Sequence, residues 1–594
     1  MKKIYALSLV ALVAAGCNFL DPLENGSYNE DNYSNYPEIV RGFIDKAYNK
    51  LPDVYYATEF IGTDAISDDA VYTSSSNTTH LFSIGSAQIA SNPFSSIWTR
   101  DYEGIYYCNL FLKDDVGRNT HYLLDAESDE MLKQTLQGDA YALRAWYEYD
   151  LLKTFGGQGP DTTMLGIPLF TEAVSTEDLD VNTVTRATFD QTVKQILSDC
   201  DEAYKYLPYN NRDYPGDKKY ITPVVGSVRY KLFDQVTTDC LRAMTYLLWA
   251  SPAFCQDAQK AQNRYAKAAE YASKAIRHKL DKESTLGFDP KARFLWADGN
   301  SPEAYIVSNV AKNQFETNLY PQNFGGVAAI TPTQDLVDAF PMANGYPITD
   351  SRSGYDPKNP YVGRDPRFYS TIFYNGSEVR RNTNNELMYT FASYAGGKDA
   401  PRLTDNGLTS YFVKKFVSLG WNPYDASVAA GYKSVFFMRW EQMLLIFAEA
   451  ANKAVGPTTA INGLTAREAL SLIRSRNTND DMPGLGAEQD PYLDECARSQ
   501  SAFEALVKNE WRLNTCFEGF RYYNLRRWTA NREDLSAINV PVHGVDINEV
   551  GGEFSYTVNT IETKSFPSLW NPLPYTEVRK CPNLLQNKGW ESWK

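Results

Sequence analysis

Six apolar residues, Leu132, Leu136, Ala140, Leu143, Tyr147 and Leu151, recur at three- and four-residue spacing, and no other feature constrains the fold of this chain so strongly. Residues so spaced share one face of an α-helix, and a helix with an apolar face has to bury it against a neighbour. Gly156 and Gly157 mark its end. Thr188 and Gln191 form a capping box that opens a second such run, Val193, Ile196, Leu197, Cys200, Ala203, Tyr204 and Leu207, which Pro208 stops. Helical spacing returns over 241–250, 264–276 and 439–455, over 465–476 behind Thr465 and Glu468, and over 501–528 behind Ser501 and Glu504. In the run 264–276 the small Ala268, Ala269, Ala272 and Ala275 allow a neighbouring helix to approach closely.

Between residues 287 and 431 the helical period disappears, and Gly, Pro, Asn and aromatic residues crowd together, as in NLYPQNFGGVAAITPTQ. A stretch of that length without helices is uncommon unless it builds a binding surface. The residues beyond 528 read as irregular again. The expectation is a mostly α protein, a scaffold of tetratricopeptide-like helix pairs carrying a loop-rich, ligand-binding insert over about 287–431.

The N-terminus says where such a scaffold works. Lys2 and Lys3 precede an apolar stretch, residues 4–15, that is too short to span a bilayer, so residues 1–16 read as a signal peptide. Ala14, Ala15 and Gly16 lead directly into Cys17, which resembles the lipobox of bacterial lipoproteins, whose cysteine is lipidated. Residues 17–35 then form a polar, lipidated tether, and 36–594 are expected to be a single body attached through lipid rather than spanning the membrane.

Several functions are excluded or left without their parts. A formal charge of -15 and a pI near 5.0 do not suit a nucleic-acid partner. The seven cysteines after Cys17 contain no C-x-x-C pair and read as small buried hydrophobes. The four histidines include no pair at helical metal spacing, and no G-x-S-x-G, H-E-x-x-H or Walker motif occurs, so neither a catalytic residue nor a cofactor is expected. The acidic loop at 67–70 offers oxygen ligands of the kind calcium takes but lacks EF-hand spacing. Glu449, Arg474, Arg476, Glu510, Arg512, Glu518 and Arg521 read as a structural ion-pair network rather than an acid and base pair. Aromatic residues make up 14% of the chain, which suits sugar recognition because flat rings pack on the apolar face of a sugar.

Seven segments, in order along the chain, resemble one family, the SusD and RagB group of outer-membrane nutrient-binding lipoproteins of Bacteroidetes. They are CNFLD at the lipid site, DAYALRAWYEYDLLKTFGG with GIPLF, DPRF at 365–368, MRWEQMLLIFAEAAN at 438–452, ALSLIRSRN at 469–477, KNEWRLNTCFEGFRYYNLRRW at 508–528, and PLPYTEVRKCPNLLQNKGW at 572–590. The resemblance implies a non-enzymatic protein on the outer face of the outer membrane. Such a protein captures oligosaccharide or polysaccharide and delivers it to a SusC-like TonB-dependent transporter. It also places Trp98 at a sugar-contacting position. Asp64, Asp68 and Asp69 are candidate acceptors for sugar hydroxyls, Trp296, Tyr320 and Phe324 are candidate ring platforms in or near the insert, and Arg380 and Tyr394 are further candidate contacts. Two alternatives stay open at this point, a peptide-binding member of the same family and a helical glycosidase or polysaccharide lyase.

Overall fold

The computed structural model describes residues 35–52, 61–175, 177–281, 301, 303–310, 314–381, 385–402, 407–417, 433–476, 484–486 and 489–593. The segment through Cys17, and Trp296, lie outside the described residues.

The protein is mostly α-helical. The long helices follow one another as Pro37–Asn49, Ser95–Leu112, Ala126–Phe155, Phe189–Tyr206, Gln235–Ala250 and Ala258–Asp281. Each packs against its neighbour in the chain, and the stack continues from Ala258–Asp281 directly to Trp440–Val455, across the insert, and then to Ala466–Arg474 and Gln500–Thr515. The predicted capping boxes at Thr188 with Gln191 and at Thr465 with Glu468 both form. Ala268, Ala269, Ala272 and Ala275 are buried where Ala258–Asp281 meets its two neighbouring helices. The seven described cysteines are free and buried. Among the described residues no helix is long and apolar enough to cross a membrane.

Buried charged pairs tie the scaffold together. Arg229 donates to both carboxylate oxygens of Asp139 at 2.7 Å, and the Tyr48 hydroxyl donates to the same carboxylate. Arg144, in Ala126–Phe155, donates to both oxygens of Asp199, in Phe189–Tyr206, at 2.6 and 2.7 Å. Both ends of these pairs are buried, so losing one partner would leave an uncompensated charge.

The stop at Gly156 and Gly157 forms as expected, and two other local expectations are corrected. Gly156 ends Ala126–Phe155 with an ordinary negative φ. Space, rather than a left-handed turn, calls for these glycines: a Cβ on Gly157 would sit 2.7 Å from the Trp570 ring. The helix expected over 501–528 is two helices, Gln500–Thr515 and Phe520–Arg527, and its cap is Ser499 rather than Ser501. Phe517 (φ 65°) and Gly519 (φ 82°) turn the chain between them, and the Lys415 ammonium fills the break, donating to the Asn514 and Cys516 carbonyls and to Glu518. The C-terminal stretch also holds a long antiparallel hairpin, Pro541–Val550 with Glu553–Thr563, turned through Gly551 and Gly552, both at positive φ.

The insert consists of short helices and two-stranded pieces. Its strand Ala304–Val310 pairs antiparallel with Lys433–Arg439, and Ile330–Pro332 pairs with Ala70–Tyr72. It has a small core of its own, formed by Tyr320, Phe324, Phe373, Val379, Tyr389, Phe391 and Phe412 with Ala328. The DPRF segment fastens it to the scaffold: Asp365 caps Pro366–Thr371, and Arg367 pairs with both Asp365 and Glu510.

Candidate functional site

Trp98, Tyr102 and Tyr106 stand four residues apart in Ser95–Leu112 and so share one face of that helix. Opposite them runs the segment that includes Pro168, Phe170, Glu172, Val174, Ser175, Leu179 and Val184. Glu577, Lys580, Cys581 and Leu584 complete the lining. The cleft between these walls has a volume of about 360 Å³, at the lower end of the usual range for ligand sites.

The aromatic wall is held in place. Trp98 and Tyr102 have ring centroids 4.8 Å apart, and Tyr102 meets Phe170 edge to face at 5.6 Å. The Tyr102 hydroxyl donates to the Pro168 carbonyl at 2.9 Å. Burial, reinforced by the nearby Glu148 carboxyl, pushes the Tyr102 pKa well above its ordinary value, so the hydroxyl keeps its proton. Asn109 fixes the opposite wall by donating to the carbonyls of Phe170 and Glu172, while its own oxygen accepts from Arg144. Thr99, Glu103, Glu172 and Lys580 are exposed along the rim. Cys581 is buried and its thiol is pushed up by burial, which keeps it protonated and a poor nucleophile. The cleft therefore offers ring surfaces flanked by hydrogen-bonding groups, the combination that holds a sugar ring.

Of the described ligand candidates singled out in the sequence, the structure brings Trp98 alone to this cleft. It is only 7% exposed and sits edge-on against Phe155, so it backs the wall while Tyr102, Tyr106 and Phe170 are more accessible. Asp64 and Asp69 are fully buried, and Asp68 is held by Arg512 and Arg521. Asp64 accepts from the Gly519 amide and Asp69 from Arg512. These carboxylates thus bind the loop to the late helices instead of facing a ligand. Tyr320 and Phe324 belong to the insert's core, at 0% and 2% exposed, and correct the expectation of ring platforms there. Arg380 is exposed on the hairpin Glu378–Arg381 with Glu386–Thr390, donating to Glu378 and to the Asn385 carbonyl. Tyr394 is half-buried against Phe554, 5.4 Å away, where the insert meets the C-terminal hairpin.

The late charged residues form the expected structural network. Glu449 pairs with Arg527, Arg476 with Glu303, and Glu510 with Arg367 and Arg474. Burial would raise the Glu510 pKa, but the two guanidiniums outweigh it and hold the carboxyl down at about 2. Sequence reasoning missed Tyr102, Tyr106, Phe170, Asn109 and Glu577. The four-residue spacing from Trp98 could have found the first two, whereas the others are brought in by the fold.

Two family profiles match the chain, one described as the SusD family over residues 296–590 and one as "Starch-binding associating with outer membrane" over 18–218. No curated protein sequence matches significantly. Among solved structures, a SusD-like protein from Bacteroides fragilis aligns at 20% identity and a TM-score of 0.68, covering 94% of this chain and 98% of that one. A second B. fragilis protein, titled a SusD-like carbohydrate binding protein, aligns at 17% identity and 0.66 over 93% and 99%. The surface glycan-binding protein A from Bacteroides fluxus aligns at 17% and 0.57 over 93% and 99%. These likenesses establish the shared fold, and with the two profiles matching over residues 18–218 and 296–590 the chain belongs to the SusD family.

Proposed function

We propose that this chain is a lipid-anchored protein of the outer cell surface that captures a glycan in the cleft beside Trp98 and passes it to a SusC-like TonB-dependent transporter, with no chemistry of its own. The observation that carries this reading is a cleft of about 360 Å³ with the rings of Trp98, Tyr102 and Tyr106 on one wall, Phe170 on the other, and polar groups along its rim. The starch-binding description of one matching profile and the carbohydrate-binding titles of similar structures support it. The test is isothermal titration against a panel of polysaccharides. One class should bind in the micromolar to millimolar range, about 4 to 8 kcal/mol, without being turned over. Absence of binding across the panel, or cleavage of a polymer, would overturn the reading. Isolation from native membranes in mild detergent should recover a SusC-like barrel, and recovery of free monomer alone would remove the transporter from the proposal.

A further inference from the structure

Building on the cleft reading above, we infer that this cleft selects uncharged glycans and turns away those bearing carboxylate or sulfate groups. Its charged lining is Glu103, Glu172, Glu577 and Lys580, and with Lys50 paired to Glu103 and Lys580 beside Glu577 the acid left uncompensated is Glu172. Glu172 belongs to a wall segment that also carries Glu177, Asp178 and Asp180, all exposed.

The cations on or behind the cleft already have partners, and Arg186, buried close to Tyr102, has its guanidinium on backbone carbonyls and Asn587. Lys580 lies 4.0 Å from Glu577, Lys50 pairs with Glu103, and Arg144 behind the wall has both Nε and Nη2 on Asp199. An anionic sugar entering here would lose hydration beside carboxylates and gain no unpaired guanidinium in return. Like-charge placement of this kind is a common way to reject a competing ligand. The net charge of the chain, -15, adds a field of the same sign. A neutral sugar meets no such penalty, because its hydroxyls can donate to the rim carboxylates while its C–H face packs on Tyr102, Tyr106 or Phe170.

The experiment compares each neutral polysaccharide of a panel with its carboxymethylated form, using the full chain. The neutral form should bind about tenfold more tightly or better at low ionic strength, and added salt should narrow the gap by screening. The double variant Glu172→Gln with Glu577→Gln should narrow it as well. Equal or tighter binding of carboxymethylated polymers, or a gap insensitive to both salt and the double variant, overturns the selectivity while leaving glycan binding intact. Failure of every polymer to bind instead removes the glycan reading itself.

Discussion

Arg521 donates through Nε and Nη2 to the two carboxylate oxygens of Asp68, each at 2.7 Å, joining positions 453 residues apart in sequence. Burial alone would raise the Asp68 pKa, yet Arg512 and Arg521 hold it well below the usual carboxylate range. Arg521→Ala should therefore cost about 3 kcal/mol of stability, because it leaves a largely buried carboxylate with one partner fewer. Urea unfolding measures the loss. A change in glycan affinity with unaltered stability would instead return Asp68 to the ligand site.

Glu510 gives the fold an acid-sensitive joint. Its folded pKa, about 2, lies below the ordinary 4.5, so its ion pairs contribute stability that is fully present above the ordinary value and is lost as pH falls toward about 2. Unfolding free energy should drop across that window. In Glu510→Gln the slope there should flatten, and an unchanged slope would show that other carboxylates govern acid unfolding.

Trp98 and Tyr106 should separate stability from binding. Trp98 is nearly buried between Tyr102 and Phe155, so Trp98→Ala should cost about 3 to 5 kcal/mol in stability. Tyr106 is more accessible on the same helix face, and Tyr106→Ala should weaken glycan binding by about 1 kcal/mol with a smaller effect on folding. Calorimetry and thermal melts of the two variants check this, and unchanged binding by Tyr106→Ala would move the site away from this wall.

The proposed membrane anchor is Cys17. Cys17→Ala should release the protein from the membrane fraction, and protease added to intact cells should digest the native protein. Protection of the native protein on intact cells would indicate a lipoprotein that faces the periplasm.

The helices were legible because burial of one face imposes a 3.6-residue period that residues such as Leu136, Leu143 and Leu151 carry openly. The C-terminal hairpin has a fainter signal, Gly551 and Gly552 flanked by alternating Val545, Ile547, Tyr556 and Val558, which a search for the helical period passes over. Other features depend on long-range partners. Tyr320 and Phe324 look like exposed platforms in sequence, and only the insert's separate core explains their burial. The cleft is similar: Phe170 and Glu577 face Tyr102 through the fold alone.

The break between Gln500–Thr515 and Phe520–Arg527 was illegible for the same reason, since the cation that satisfies it arrives from Lys415, about a hundred residues earlier. That ammonium donates to two carbonyls and to Glu518, and all of these groups are buried or nearly so. Its neighbour Lys414 donates to the Tyr369 carbonyl, and burial lowers its pKa to about 8. Lys415→Met should cost about 3 kcal/mol and speed amide exchange across residues 515–519, because the turn loses its donor. Lys414→Met should change stability by less than about 1 kcal/mol, since one hydrogen bond is lost while the cost of burying its charge is removed. Equal effects at the two lysines would show that the turn holds its shape without the ammonium.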